Sequence, residues 1–329
     1  MSVLFIKIRK FYIVLTGLVS LSFFSQNFDS AQINTQEYQV SETTTLVYPK
    51  PRISEIYKKI PKNIVGTVKN TVAKNTYGYS LAALGSTLAL LPADPTLIRE
   101  ARKLGEKVGF NADHTYSNLG PLKIIPGDAG SFVYFLGNGT TFILIGTGLA
   151  TYGLMTNDYR SQSTSMQLLQ SILLCGVFSQ SLKRITGRES PFETLRQQRK
   201  HSEWTFLPSF SGCQKNTSKY DAMPSGHLTT GIAAWVILAE NYPEKKWIKP
   251  LGFALMGIMS FEMIQSGVHW ASDYPIAILL GYLIGKNVVK NAVTKKIKNG
   301  IGTTQKKYKF NITASNFYGI QVAGATIDF

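Results

Sequence analysis

A chain of 329 residues can form two average domains or one large helical one, and its 44% hydrophobic, 16% charged composition excludes disordered and collagen-like classes. Lys and Arg number 35 against 19 Asp and Glu, and the resulting +16 favours anionic partners: nucleic acid, anionic lipid or phosphate-bearing substrates. Two cysteines, Cys175 in an apolar run and Cys213 in a polar stretch, form neither a disulfide framework nor a zinc site.

Lys7, Arg9 and Lys10 precede the uncharged run Phe11 to Phe24, and small residues follow near Ser30 and Ala31. This pattern predicts a secretory signal peptide over residues 1–31, because the run is shorter than the ~20 residues a membrane span needs. Export makes the basic charge a poor argument for nucleic acid. Residues 32–76 are polar and basic, with Pro49, Pro51 and Pro61 as breakers, and predict a surface segment with at most one short helix.

From residue 77 to 295 the chain reads as a helical domain. Tyr77 to Leu91 is an uncharged helix. Asp94-Pro95-Thr96 starts another, amphipathic to Val108, with Leu97, Ala101, Leu104 and Val108 at helical spacing. A loop containing Gly120, Pro121, Pro126 and Gly127 follows. Five further apolar runs predict helices: Ser131 to Met155, Ser163 to Leu182, Gly226 to Leu238, Leu251 to Val268 and Pro275 to Ile284. The polar, aromatic stretch 192–223 reads as a long loop, a length usually associated with function. The tail, 296–329, is basic and β-prone, with a short hairpin turning near Ser315 and Asn316. The fold class is all-α, a bundle of about six core helices.

Lys183, His227 and His269 fall on one side of a bilayer if these runs span it, leaving Glu244 to Lys249 and the lysines at 286, 290, 295, 296 and 298 on the cytoplasmic side. That orientation needs a cytoplasmic N-terminus, which a cleaved signal denies. Membrane-embedded and soluble periplasmic readings both stay open.

Three short blocks carry chemistry. Met223-Pro224-Ser225-Gly226-His227 stands where a polar stretch meets an apolar helix; small residues at a helix start leave backbone N–H groups open to an anion, and His227 can supply a proton. In Gly267-Val268-His269-Trp270-Ala271-Ser272-Asp273 the carboxylate four positions on can orient the imidazole and raise its basicity, making His269 a candidate nucleophile. Lys183-Arg184-Ile185-Thr186-Gly187-Arg188-Glu189-Ser190-Pro191 sets three cations at the end of an apolar helix, where Lys183 can meet a phosphate.

In this order the blocks resemble the three-part signature of the type-2 phosphatidic acid phosphatase and vanadium haloperoxidase superfamily: K-x6-R-P, then P-S-G-H, then S-R-x5-H-x3-D. Lys183 and Pro191 match the first block, Pro224 to His227 the second, His269 and Asp273 the third. The resemblance implies a helical bundle with its site at one end. His269 would attack phosphorus, Asp273 would hold it, and His227 would protonate the leaving alkoxide. Lys183, Ser225 and the Gly226 N–H would grip the phosphate. It implies no metal or other cofactor, since fixed cations and amides supply the electrostatic stabilisation.

Two departures stand out. The signature's arginines fall on Ser190 and Met263, and the serine before the second falls on Glu262. Hydrogen bonds to a charged group are worth ~1.5–3 kcal/mol each, so the two losses amount to ~3–6 kcal/mol of phosphate affinity unless replaced. Arg188, two positions before Ser190, is the candidate replacement. The sequence thus predicts a phosphatase acting on a lipid, isoprenoid or small exported phosphate ester at an anionic membrane surface, with no role in nucleic-acid binding. The alternative is a non-catalytic relative that binds an anionic lipid or scaffolds the envelope.

Overall fold

The computed structural model describes residues 34–120, 122–298, 309–317 and 320–328; the signal peptide expected over residues 1–31 lies outside them. The described chain opens with β1 (Thr35–Gln39) and β2 (Thr44–Pro49), antiparallel, followed by α1 (Glu55–Lys58) and α2 (Ile60–Val72). This corrects the expectation of at most one short helix before residue 77. Pro61 sits in the first turn of α2, where its missing N–H costs no helical bond, so it starts a helix there. Tyr48 of β2 is fully buried, and its hydroxyl donates to Asn241 Oδ1 at 2.9 Å.

α3 (Tyr77–Leu90) runs through a short 3-10 turn at Leu91–Ala93 into α4 (Asp94–Lys107). Together, Tyr77–Lys107 form a helix long and apolar enough to cross a membrane. The expected apolar stripe of α4 does not pack inward. Asp94, Ile98 and Gly105 are buried, whereas Leu97, Leu104 and Val108 are exposed. The loop expected next is a hairpin, β3 (Tyr116–Leu119) with β4 (Leu122–Pro126). The run from Ser131 to Met155 is two helices, α5 (Ala129–Phe135) and α6 (Gly139–Thr156), bent by 64°. Asn138 breaks the run by capping α6, its side chain accepting from Thr140 N.

The remaining helices are α7 (Tyr159–Thr186), α8 (Pro191–Arg196), α9 (Phe210–Lys215), α10 (Gly226–Asn241), α11 (Ile248–Gln265) and α12 (Tyr274–Ala292). The expected long loop therefore holds α8 and α9. β5 (Thr294–Ile297) then pairs with β2, giving a three-stranded sheet in the order β1-β2-β5. That sheet ties the N-terminal segment to the end of the helical region, so a boundary at residue 295 falls inside a strand. β6 (Lys309–Phe317) and β7 (Ile320–Asp328) form the expected C-terminal hairpin, but Ser315 and Asn316, expected at its turn, pair with Val322 and Gln321, and the ladder closes with Phe317 opposite Ile320.

The fold is predominantly helical, as expected, and α3, α6, α7, α10, α11 and α12 are its core helices. Cross-contacts fix their alternating directions. At one end Arg160, opening α7, reaches the carbonyl of Asn241 at the close of α10; at the other, Arg188 reaches Asp273 just before α12. Between them Phe142, Leu168, Leu174, Ala233, Ile237, Ile284 and Val288 form an apolar core. α10 and α12 pack closely because Gly281 and Gly285 face backbone: a β-carbon there would lie 2.5 Å from Thr229 O and 2.8 Å from Ala233 O respectively. A second cluster, with Leu228, Met256, Met259, Met263, Tyr274 and Ala277, underlies the end where the motif residues gather.

Candidate active site

The three sequence blocks converge through hydrogen bonds to backbone carbonyls. Thr186 Oγ1 donates to Met223 O at 2.9 Å, and Ala222 N donates to Arg188 O at 3.0 Å, joining the first block to the second. Phe192 N donates to Gly267 O at 2.8 Å and Trp270 Nε1 to Glu189 O at 2.8 Å, joining the first to the third. α7 stops at Gly187, whose φ of +50° is open to glycine at little cost and whose N–H donates to Lys183 O. The chain then turns sharply enough to bring residues 188–191 across the bundle end.

Lys183 lies in the last turn of α7, 7% exposed, with Nζ 3.2 Å from Asp221 Oδ2. A β-carbon on Gly226 would sit 3.8 Å from that Nζ, so the ammonium stands over the start of α10. Ser225 is the N-cap of α10: its Oγ accepts from Leu228 N at 3.4 Å. The first-turn amides and the ammonium therefore face one small space, an arrangement suited to an anion.

His227 is half-buried in the first turn of α10. Burial, with repulsion from His269, Lys183 and His114, pushes its imidazole down to about 3. His269 is 3% exposed, with Nδ1 3.5 Å from Asp273 Oδ2 and no hydrogen-bond partner. Asp273 is held independently: Oδ2 accepts from Trp270 N at 2.8 Å and Oδ1 from Arg188 Nη1 at 2.6 Å.

Arg188 has a different set of partners from the phosphate expected of it. Its Nη1 also donates to Ser272 Oγ at 2.7 Å, Nη2 to Asp94 Oδ2 at 2.7 Å and Nε to Ser202 Oγ at 3.2 Å. Trp204 and Trp270 cover the guanidinium with ring centroids at 4.8 and 5.3 Å. Fully buried and engaged on all three nitrogens, it orients Asp273 and does not point free donors into the anion space. Nor do the positions of the two missing arginines supply a cation. Met263 is fully buried in the second apolar cluster, its sulfur 3.9 Å from Ser225 Oγ. Ser190 is buried, with its hydroxyl unpartnered.

Several site residues carry no local sequence signal. Asp94 reads from sequence as a helix start, yet its side chain makes no cap bond and instead receives Arg188 and Ser272. Its one legible clue is a carboxylate at the junction between an apolar and an amphipathic helix. Asp221, His114, Tyr134 and Glu262 are brought in from separate elements, and only Glu262, a charge inside an apolar run, stands out from its neighbours.

The PAP2 superfamily model matches residues 164–297, the segment that carries all three blocks, so the resemblance read from the motifs is borne out. Over that segment the chain is similar to the PAP2 superfamily. A crystal structure of a transmembrane PAP2-type phosphatidylglycerolphosphate phosphatase from Bacillus subtilis is similar at 16% identity and a TM-score of 0.39, covering 65% of this chain and 94% of that one. No curated protein matches the chain.

Proposed function

We propose that the protein hydrolyses a phosphomonoester through a phosphohistidine intermediate. The observation that carries this reading is the facing pair of features at the bundle end: Lys183 Nζ over the first turn of α10, and His269 backed by Asp273. With Nδ1 turned to the carboxylate, Nε2 of His269 attacks phosphorus, so an N–P bond forms as the ester P–O bond breaks. Once the bound phosphate offsets the repulsion that keeps its imidazole neutral, His227 takes up a proton and gives it to the departing alkoxide. It then takes one from water, which attacks phosphorus, breaks the N–P bond and releases phosphate. Lys183, the Ser225 hydroxyl and the Gly226 N–H stabilise the charge on the equatorial oxygens. Arg188 acts through Asp273, holding it where it orients His269.

A lipid phosphate is the favoured substrate class, at an anionic membrane surface of the cell envelope. Three features support it. Apolar side chains face outward on the bundle, among them Leu81, Leu84 and Leu88 of α3 and Leu154 and Met155 of α6. The apolar part of Tyr77–Lys107 ends at Asp94, the residue that pairs with Arg188, so the site stands just beyond the stretch that would lie in lipid. Lys249 in the first turn of α11 and Lys286 in the far half of α12 lie toward the opposite end of the bundle, as the positive-inside rule asks of a cytoplasmic face.

The test is phosphate release by the purified protein in detergent, over a panel of lipid and soluble esters without added metal. Turnover inhibited by vanadate and abolished in His269→Ala is expected; turnover that survives this substitution would overturn the reading. A second reading is a non-catalytic relative that binds an anionic lipid. Its motive is the commitment of Arg188 to carboxylates while Ser190 and Met263 stand at the arginine positions. Turnover lost in His227→Ala eliminates it.

A further inference from the structure

The His227 ring has an unusual support. Among the described residues no side chain hydrogen-bonds to it; what it meets is the ring of Tyr134 in α5, at a centroid distance of 4.5 Å and an angle of 48°. Tyr134 is itself held from behind. The His114 ring stacks on it at 4.1 Å and 23°, and His114 Nε2 lies 2.7 Å from Glu262 Oε1. Glu262 is fully buried, and its Oε1 also accepts from Gln265 Nε2 at 3.3 Å. Gln265 Nε2 donates in turn to Asn111 O at 3.1 Å, pinning the segment that carries His114. Glu262, His114, Tyr134 and His227 thus form one continuous arm into the site. His114 and Tyr134 lie outside the segment 164–297 that matches the PAP2 superfamily, and Glu262 stands where the signature has serine.

We infer that Tyr134, clamped by the His114–Glu262 pair, is a positioning residue that sets the orientation of the His227 ring for proton transfer to the leaving group. This inference rests on the phosphatase reading above. The physical case is that an imidazole without a hydrogen-bonded partner can rotate about its χ2, which is a broad torsion, and a misdirected ring loses the contact that proton transfer needs. A tyrosine ring packed against it and fixed from behind by a stacked histidine removes that freedom. The buried carboxylate has a matching role: beside a phosphate an unpaired Glu262 would repel substrate, and His114 at hydrogen-bond distance keeps it partnered.

Leaving-group dependence separates this role from a merely structural one. An alkoxide leaves poorly without a proton, whereas a nitrophenolate leaves readily without one. The experiment compares phosphate release from an alkyl phosphate and from p-nitrophenyl phosphate by the full-length protein in detergent, for wild type, His227→Ala, His114→Gln, Tyr134→Leu and Tyr134→Phe. His227→Ala sets the benchmark loss in the alkyl-to-aryl ratio of kcat/KM, which reports phosphoryl transfer to His269 and not the hydrolysis step common to both esters, because it removes the acid. His114→Gln and Tyr134→Leu are expected to lower the same ratio by about tenfold, part of the ~100-fold or more that general acid catalysis supplies, with KM within about twofold of wild type. Tyr134→Phe keeps the ring and restores the ratio. Equal losses on both esters, or an unchanged ratio in His114→Gln and Tyr134→Leu, overturn the inference while leaving the phosphatase reading intact. Absence of turnover by wild type on either ester overturns that reading, and the inference with it.

Discussion

Arg188 Nη1 stands 2.6 Å from Asp273 Oδ1, and the other oxygen of that carboxylate lies 3.5 Å from His269 Nδ1. The guanidinium is the buried counter-ion for two carboxylates at once, since Nη2 pairs with Asp94 Oδ2 at 2.7 Å. Removing it strands both. Breaking a buried ion pair on one side destabilises by ~3–5 kcal/mol because the partner keeps its charge without compensation. Arg188→Ala is therefore expected to lower the melting temperature markedly and to abolish phosphate release. Adding Asp94→Asn to Arg188→Ala removes one stranded charge, so the double variant should melt higher than the single one. A double variant that melts lower would refute the shared-counter-ion account.

Gly187 closes α7 four residues after Lys183 and adopts φ +50°. A β-carbon there would lie 1.8 Å from Thr205 O, a backbone atom with no rotamer to change. Left-handed backbone costs a non-glycine residue ~1–2 kcal/mol, and an overpacked contact adds ~1–3 kcal/mol. Gly187→Ala should thus destabilise by several kcal/mol in chemical denaturation. Gly226→Ala, whose new methyl meets only the Lys183 ammonium at 3.8 Å, should keep its fold. Equal stability of the two variants would contradict this geometry.

The helical class and the six core helices were legible in the sequence, because long apolar runs report on local structure; that Lys183, His227 and His269 share one end was implied by the resemblance of the three blocks to a known signature. What escaped was set by contacts between distant segments. Asp94 is paired with Arg188 across 94 residues, and nothing around either residue announces the other. Arg188 read as a phosphate ligand at the end of an apolar helix; only the closure of Trp204 and Trp270 over it shows that it is buried. The sheet uniting β1, β2 and β5 brings together segments some 250 residues apart. The outward stripe of α4 misled because spacing shows that one face is apolar but not what that face meets.

The His227 imidazole, held down to about 3 against an ordinary 6.5, makes stability depend on pH. Between those values the unfolded chain binds a proton at this residue and the folded chain does not, so folding stability rises with pH across the window. The contribution is fully present above pH 6.5 and is lost as pH falls toward 3. Thermal melting of wild type should consequently drop on acidification through this range, and His227→Gln should drop less. Because a bound anion offsets the repulsion from Lys183 and His269, vanadate should bind more tightly as pH falls from 7 to 5. Vanadate affinity that weakens on acidification, or identical melting profiles for wild type and His227→Gln, would count against His227 as the titrating group.

Met263 occupies the position of an absent arginine, fully buried beside Ser225 and packed with Leu228, Met256 and Met259. Met263→Arg would set a guanidinium at the base of the anion space, next to Glu262 but inside an apolar cluster. Without an anion its charge is poorly compensated, and the variant should melt below wild type, in line with the ~3–5 kcal/mol typical of an uncompensated buried charge. With phosphate or vanadate bound, the same guanidinium gains charge-assisted hydrogen bonds of ~1.5–3 kcal/mol each. Ligand binding to the folded state raises stability in proportion to the logarithm of its occupancy ratio, so the melting shift produced by vanadate reads affinity directly. The expected result is a larger vanadate-induced shift in Met263→Arg than in wild type, from a lower starting temperature. Equal shifts in the two proteins would mean that residue 263 does not face the anion, and that the arginine missing there was never replaced because its place now belongs to the core.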